Sequence, residues 1–319
     1  MDIVFFGTSE FAVESLERLA GSRHKIKAVV TQPDRKKGRL QKILPTAVKE
    51  SALKLGVEVL QPEDLSSPEF IERLKLQNAD LFIVVSYGNI LKKEILGIPK
   101  KFCINLHGSL LPKYRGAAPI NWTIINSDET TGVTIIKMNE KMDEGDIILK
   151  DQTPVLTHDT AESLSKRLAL RGSELLLKAL DMIESGKAEF QEQDDAKATY
   201  APKLKKEDGL INWDREGVKI QSHIRGVQPW PGAYTYLNGK LIKIWKASIY
   251  GTGSSRIPGE VIGIEKDGIL VSTRQGAIVI EELQPESSRR MDINAFLAGY
   301  KLKVGDRFES KAAISPKNT

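Results

Sequence analysis

Short apolar runs at Ile3–Gly7, Ile26–Thr31, Val57–Leu60, Leu81–Ser86 and Phe102–His107 read as β-strands. Between them apolar positions recur at helical spacing, over Glu10–Ala20, over Thr46–Leu55, and over a stretch that Ser67 caps, Pro68 opens and Leu76 ends. Leu81–Ser86 is a continuous apolar run, as strands covered by helices on both faces are. Strand and helix in series predict an α/β fold, a doubly wound, mostly parallel sheet with right-handed crossovers. Val133–Met138 and Asp146–Lys150 add two strands that close the sheet. A long amphipathic helix then runs over about residues 160–185, with Asp159 as its cap and Glu162 three positions on.

The texture changes near residue 187. Gln191–Ala198 is polar and reads as a linker. Beyond it come short alternating strands, at Ala233–Leu237, Leu241–Ser248, Val261–Ile264, Ile269–Thr273 and Ala277–Leu283. Asn238-Gly239 between the first two is a hairpin turn. This pattern predicts a small OB-like β-barrel. The chain divides accordingly into a first domain over 1–190, a linker over 191–205 and a barrel domain over 206–319. His223, Arg225, Trp230 and Trp245 are assigned to the packing of the second domain.

Composition narrows the class. At 319 residues the chain exceeds the usual size of one core, and 40% hydrophobic with 28% charged residues excludes wholesale disorder. A single cysteine, Cys103, excludes a disulfide scaffold and fits a reducing cytoplasm. No apolar run approaches the roughly 20 residues that span a bilayer. The expectation is a cytoplasmic protein that meets no membrane and acts as a monomer. The net charge of +5 is modest, so the placing of basic residues matters more than their number.

Several chemistries are excluded by missing residues. The first strand ends in Gly7-Thr8-Ser9-Glu10 rather than G-x-G-x-x-G, which removes the pyrophosphate turn of a dinucleotide site. No phosphate loop is present, and none of the four histidines has a partner at zinc-ligand spacing, so no metal is expected. Attention falls on Asn105 and His107, which alternation places on one face at the end of a predicted strand. The loop Pro112–Pro119 follows, and Met142-Asp143-Glu144-Gly145-Asp146 forms a tight turn after a later strand. That turn is either an ordinary solvated one or the source of a carboxylate beside His107. In the second case Asp143 favours the imidazolium, and imidazolium with the Asn105 amide forms an oxyanion hole. The trio suits attack by an amine on a carbonyl, with no covalent acyl-enzyme.

The chain resembles the bacterial methionyl-tRNA formyltransferase family. The resemblance rests on Phe5–Ala12, Thr31–Arg35, Ser86-Tyr87-Gly88, Asn105–Pro119, Thr131–Ile135, Met142–Asp146, Gln228–Tyr234 and Lys243–Ala247. It implies transfer of a formyl group from 10-formyltetrahydrofolate to the α-amino group of methionine on initiator tRNA. It implies that Asn105, His107 and Asp143 are catalytic, and that Tyr87 and Ser109, Leu110, Leu111 and Pro112 contact folate. Arg35, Lys36, Lys37, Arg39 and Lys42 fall on the loop that contacts the tRNA acceptor arm, with Arg39 central. Lys203, Lys205 and Lys206 are expected to add phosphate contacts, and Lys240, Lys243, Lys246, Arg289, Arg290, Lys301 and Lys303 read either as separate surface charges or jointly as a face for the tRNA backbone. Alternative readings are a sugar-nucleotide N-formyltransferase, a 10-formyltetrahydrofolate hydrolase, and a non-catalytic RNA-binding module.

Overall fold

In a computed structural model, residues 1–37, 42–251 and 256–311 are described. They form two compact units. The first comprises Met1–Pro119, Thr130–Pro154 and Ser165–Pro202; the second comprises Ile120–Glu129, Val155–Leu164 and the chain from Lys203 on. Residues 191–202, read from composition as part of a linker, thus belong to the first unit's own contacts.

In chain order the elements are β1 (Asp2–Gly7), α1 (Glu10–Ala20), β2 (Lys25–Val30), β3 (Arg35–Lys37), β4 (Lys42–Leu44), α2 (Ala47–Lys54), β5 (Val59–Leu60), α3 (Pro68–Leu76), β6 (Leu81–Val85), α4 (Lys93–Leu96) and β7 (Phe102–His107). Then come α5 (Pro119–Ile125), β8 (Thr130–Lys137), β9 (Ile147–Pro154) and α6 (Ala161–Glu184). The first unit's main sheet has the order β5-β2-β1-β6-β7-β8-β9. Pairings from β5 to β7 are parallel, and those to β8 and β9 antiparallel. The chain builds to one side of β1 through β2 and β5, and to the other from β6 on. β1 and β6 therefore flank the switch point, where open α/β sheets place a ligand crevice.

Local chemistry explains these elements. All five residues of β6 are buried, as expected of an interior parallel strand. α1 turns Ala12, Leu16 and Leu19 inward on one stripe. Ser67 caps α3 as its sequence predicts, its hydroxyl accepting from the Phe70 N–H, with Pro68 at the first helical position. At α6 the reciprocal capping pair is Thr160 with Ser163, not Asp159 with Glu162: Thr160 Oγ1 accepts from the Ser163 N–H and Ser163 Oγ from the Thr160 N–H. Asp159 instead accepts from the Leu156 N–H and the Ser163 hydroxyl.

The second unit holds α7 (Gly217–Gly226), β10 (Ala233–Leu237), β11 (Lys240–Tyr250), β12 (Val261–Glu265), β13 (Gly268–Ser272), β14 (Ala277–Pro285), β15 (Met291–Asp292), α8 (Ile293–Gly299) and β16 (Phe308–Glu309). The sheet order is β12-β13-β14-β11-β10-β16, all antiparallel. Its two ends meet: Val261 N–H donates to Asp306 O, Phe308 N–H to Gly259 O, and Glu260 bridges Arg307. That closure makes the curled sheet OB-like and removes an open edge. Asn238 and Gly239 have φ of 49° and 74°, the left-handed pair that a two-residue hairpin needs. Trp213 is enclosed, stacks on Phe308 and donates from Nε1 to Thr235 Oγ1.

His223 and Arg225 serve this packing as expected, but Trp230 is 56% exposed. It lies between two prolines in the turn leading to β10, where the chain runs over the surface. His223 Nε2 donates to Asp208 O at 2.6 Å, and burial, reinforced by Arg215, holds its pKa below the ordinary 6.5. The unfolded chain therefore takes up that proton first as pH falls. Stability is complete above about pH 6.5 and declines below it, by at most about 1.4 kcal/mol per pH unit. Urea midpoints at pH 7.5 and 5.5 check this. Wild type loses more than His223→Gln, and equal losses would contradict it.

Candidate active site

The site lies on the face of β7 that carries Asn105 and His107. The loop between β8 and β9 folds back over this face and brings Asp143 to both. Asp143 Oδ1 accepts from Asn105 Nδ2 at 3.2 Å, and Oδ2 lies 3.6 Å from His107 Nδ1. Oδ2 also accepts from the Gly116 N–H at 2.8 Å. The three residues named from sequence are therefore together, although Asn105 and Asp143 are 38 positions apart.

The imidazole is held on its other side. His107 Nε2 lies 2.9 Å from the Tyr114 carbonyl, an acceptor, so Nε2 carries a proton there. In the neutral ring Nδ1 is then the basic nitrogen, and it faces Asp143. Tyr114 and Asp143 have φ of 63° and 55°, left-handed conformations that non-glycine residues adopt mainly where the surroundings enforce them. Gly116 sits at φ 121°, and a Cβ there would lie 2.8 Å from Ala201 O.

Two further residues define the Asp143 turn, and the sequence reading missed their part in it. Gln193 donates from Nε2 to the carbonyls of Asp143 and Gly145, each at 2.7 Å. Its Oε1 accepts from Arg115 Nε at 3.1 Å and Nη2 at 2.9 Å. Arg115, only 1% exposed, also pairs with Asp195 at 2.6 Å and Glu144 at 3.6 Å. Arg115 stands in a motif that drew attention. Gln193 sits in a polar stretch and reaches partners 50 and 78 positions away, so no local signal marks it.

The residues assigned to folate divide. Ser109 is buried, its hydroxyl donating to Lys113 O, and Leu111 is buried against Ile136 and Ile147. Leu110 and Pro112 are half-buried and face outward more. Thr134 Oγ1 donates to Ser109 O and accepts from the Leu111 N–H, and Lys150 Nζ donates to Leu111 O. Partial burial lowers the pKa of Lys150. Tyr87 is 2% exposed and packs edge-on against Phe6, so its ring belongs to the core. Burial pushes its phenol up to about 12, against a lowering contribution from Asn89. Its carbonyl accepts from Thr8 Oγ1 and Gln32 Nε2, tying the ends of β1, β2 and β6 together at the switch point. The segment 109–112 thus turns the side chains of Ser109 and Leu111 inward and leaves Leu110 and Pro112 half-buried.

The basic residues are spread over both units. Arg35 is exposed on β3, which pairs with β4 as a hairpin carrying Lys36, Lys37 and Lys42; Arg39 lies outside the described residues. Lys203, Lys205 and Lys206 are exposed at the start of the second unit's long segment, as are Lys240, Arg289, Lys301 and Lys303 on the barrel. Two barrel cations are already engaged: Lys246 pairs with Glu281 at 2.7 Å, and Arg290 pairs with Glu282 while lying over the Trp245 ring. Lys243 also lies near that ring, 6.0 Å from its centroid.

Sequence spacing gave no metal ligands, but the fold assembles His24, Asp181 and Glu184, whose ligand atoms lie within 4.8 Å of one another. Arg23 bonds both carboxylates there, and the amine of Met1 contacts His24 and Glu184. Two cationic groups thus already occupy the place of an ion. Among the described residues no helix is long and apolar enough to cross a membrane.

Comparison with known proteins extends the geometry. The formyl transferase family model matches residues 1–180, and that of the formyl transferase C-terminal domain matches residues 203–301. The chain is 47% identical to a methionyl-tRNA formyltransferase of Citrifermentans bemidjiense over 98% of both chains. It is 46% identical to a methionyl-tRNA formyltransferase of Geotalea uraniireducens, over 96% of this chain and 97% of that one. Among solved structures it is similar to WlaRD, a sugar 3N-formyl transferase in the presence of dTDP and 5-N-formyl-THF. The TM-score is 0.65 and the identity 20%, over 91% of this chain and 99% of that one, a likeness of fold.

Proposed function

Because the chain belongs to the methionyl-tRNA formyltransferases of the formyl transferase family, we propose that it moves the formyl group of 10-formyltetrahydrofolate to the α-amino group of methionine on initiator tRNA. The observation that carries the mechanism is the contact of Asp143 with both Asn105 and His107. The reaction exchanges one C–N bond for another: the amine nitrogen bonds the formyl carbon, and the bond from that carbon to the donor nitrogen breaks. The amine loses a proton and the leaving nitrogen gains one. No oxidant, metal or covalent enzyme intermediate is needed for that balance.

The residues take these roles. Asn105 spends one amide hydrogen on Asp143 and has a second for the oxygen that becomes negative when the amine adds. His107, its Nε2–H fixed on Tyr114 O, receives the amine proton at Nδ1 and returns it to the leaving nitrogen. Asp143 lies beside that nitrogen and stabilises the imidazolium while it lasts. This refines the sequence expectation: an Nε2–H committed to Tyr114 leaves Asn105 as the principal oxyanion donor. The strip Ser109–Pro112 holds the folate, and Arg35, Lys36, Lys37, Arg39, Lys42, Lys203, Lys205 and Lys206 hold the tRNA by its phosphates. In this reading the protein acts as a monomer in the cytoplasm.

The test is formyl transfer from 10-formyltetrahydrofolate to charged initiator Met-tRNA, with a 4-amino-sugar nucleotide and no acceptor in parallel. Transfer to tRNA alone is expected, and Arg39→Ala raises the KM for tRNA while sparing that for folate. Transfer to the sugar, or deformylation without acceptor, overturns the assigned acceptor and leaves the folate site standing.

A further inference from the structure

We infer that Gln193 is a positioning residue for formyl transfer, holding the Asp143 carboxylate against Asn105 and His107, with Arg115 fixing Gln193 in that role. The inference rests on the reading of the trio given above. Asp143 adopts a left-handed conformation, φ 55°, which is unfavourable for a non-glycine residue. The turn that contains it must be held from outside. One Gln193 amide nitrogen bonds the carbonyls of Asp143 and Gly145, both at 2.7 Å. An amide NH₂ presents its two hydrogens in a fixed fork, so this one group sets the spacing of carbonyls two residues apart.

Chemistry also fixes which way the Gln193 amide points. The turn offers only acceptors, and the Arg115 guanidinium only donors, so nitrogen faces the turn and oxygen faces Arg115. Arg115 is seated through its own main chain, its N–H donating to Thr199 O and its carbonyl accepting from the Ala201 N–H, while Asp195 and Glu144 balance its charge. The next residue's amide, Gly116 N–H, bonds Asp143 Oδ2 directly. Arg115 therefore sets both ends of the carboxylate's support, through Gly116 at the side chain and through Gln193 at the backbone. Gln193, 7% exposed, is not itself placed to touch a substrate.

A scaffold role and a positioning role predict different kinetics. Gln193→Met keeps the volume and removes the four hydrogen bonds of the Gln193 side chain. In the full-length enzyme with 10-formyltetrahydrofolate and initiator Met-tRNA, positioning predicts a kcat at least tenfold lower, both KM values within twofold, and a cooperative thermal melt. Wild-type kcat in the folded variant overturns the inference, and so does a raised KM with kcat unchanged. If Gln193→Met does not fold, Gln193→Asn, whose amide is one methylene short, is read by the same criteria. Failure of both to fold assigns Gln193 to the scaffold alone and overturns it too. His107→Ala is measured alongside. Its retaining activity sinks the reading of the trio, whereas an inactive His107→Ala beside an active Gln193→Met sinks only the positioning role.

Discussion

Asp143→Ala is expected to lower kcat by at least a hundredfold, about 2.7 kcal/mol of transition-state stabilisation, while leaving the KM for folate within a few fold. The carboxylate touches three things at once. It orients the Asn105 amide at 3.2 Å, faces His107 Nδ1 at 3.6 Å and caps the Gly116 N–H at 2.8 Å. Its loss frees Asn105 to rotate away from the developing oxyanion. It also leaves the imidazolium without its counter-charge when the amine proton arrives. Asp143→Asn removes the charge and keeps one acceptor, since its single amide oxygen can serve Asn105 or the Gly116 N–H but not both. If charge on the imidazolium dominates, Asn is as poor as Ala; if orientation dominates, Asn recovers part of the rate through the one bond it keeps. Steady-state kinetics of both variants decide it, with a thermal melt to show that each is folded. Activity within threefold of wild type for Asp143→Ala would remove Asp143 from the mechanism.

The parallel sheet was legible because Leu81–Val85 is apolar on both faces and because helices with capped starts separate such strands. The pairing of Asn105 with His107 was legible from alternation alone. The approach of Asp143 was legible only as a turn that could reach them, since alternation says nothing about where a loop folds. What stayed hidden is long-range or backbone-mediated. Gln193 looks like any polar residue between domains until the Ile147–Gln191 bridge draws its segment onto β9. The grip of Tyr114 O on His107 involves a main-chain atom, which every residue type possesses. Tyr87, Ser109 and Leu111 were named by resemblance, which marks a position without saying whether side chain or backbone serves there; all three side chains turn inward. Trp230, expected in the packing of the second domain, is instead held in an exposed turn with a proline on either side.

Gly145→Ala is expected to be nearly as damaging as removing the carboxylate, though no functional group is lost. A Cβ on Gly145 would lie 1.8 Å from Lys137 O and 2.8 Å from that residue's carbonyl carbon. Both are main-chain atoms at the end of β8, where the Lys137 N–H also donates to Asp146 O at 2.8 Å, so no side chain can swing aside. The turn must lift by about 1.6 Å to restore ordinary contact, and overpacking of this kind costs about 1–3 kcal/mol. The lift strikes the Gly145 carbonyl that Gln193 bonds, and it carries Asp143, two residues earlier, away from His107. A displacement of that size in a group that orients the reaction costs about a hundredfold in rate. The expected result is therefore a kcat near that of Asp143→Ala, with a melting temperature a few degrees lower. Gly299→Ala is the matched control, since a Cβ there meets open space. It should leave kcat unchanged. Wild-type kcat in Gly145→Ala would mean that the Asp143 turn has room to move during the reaction, and that the close contacts around it do not set the rate.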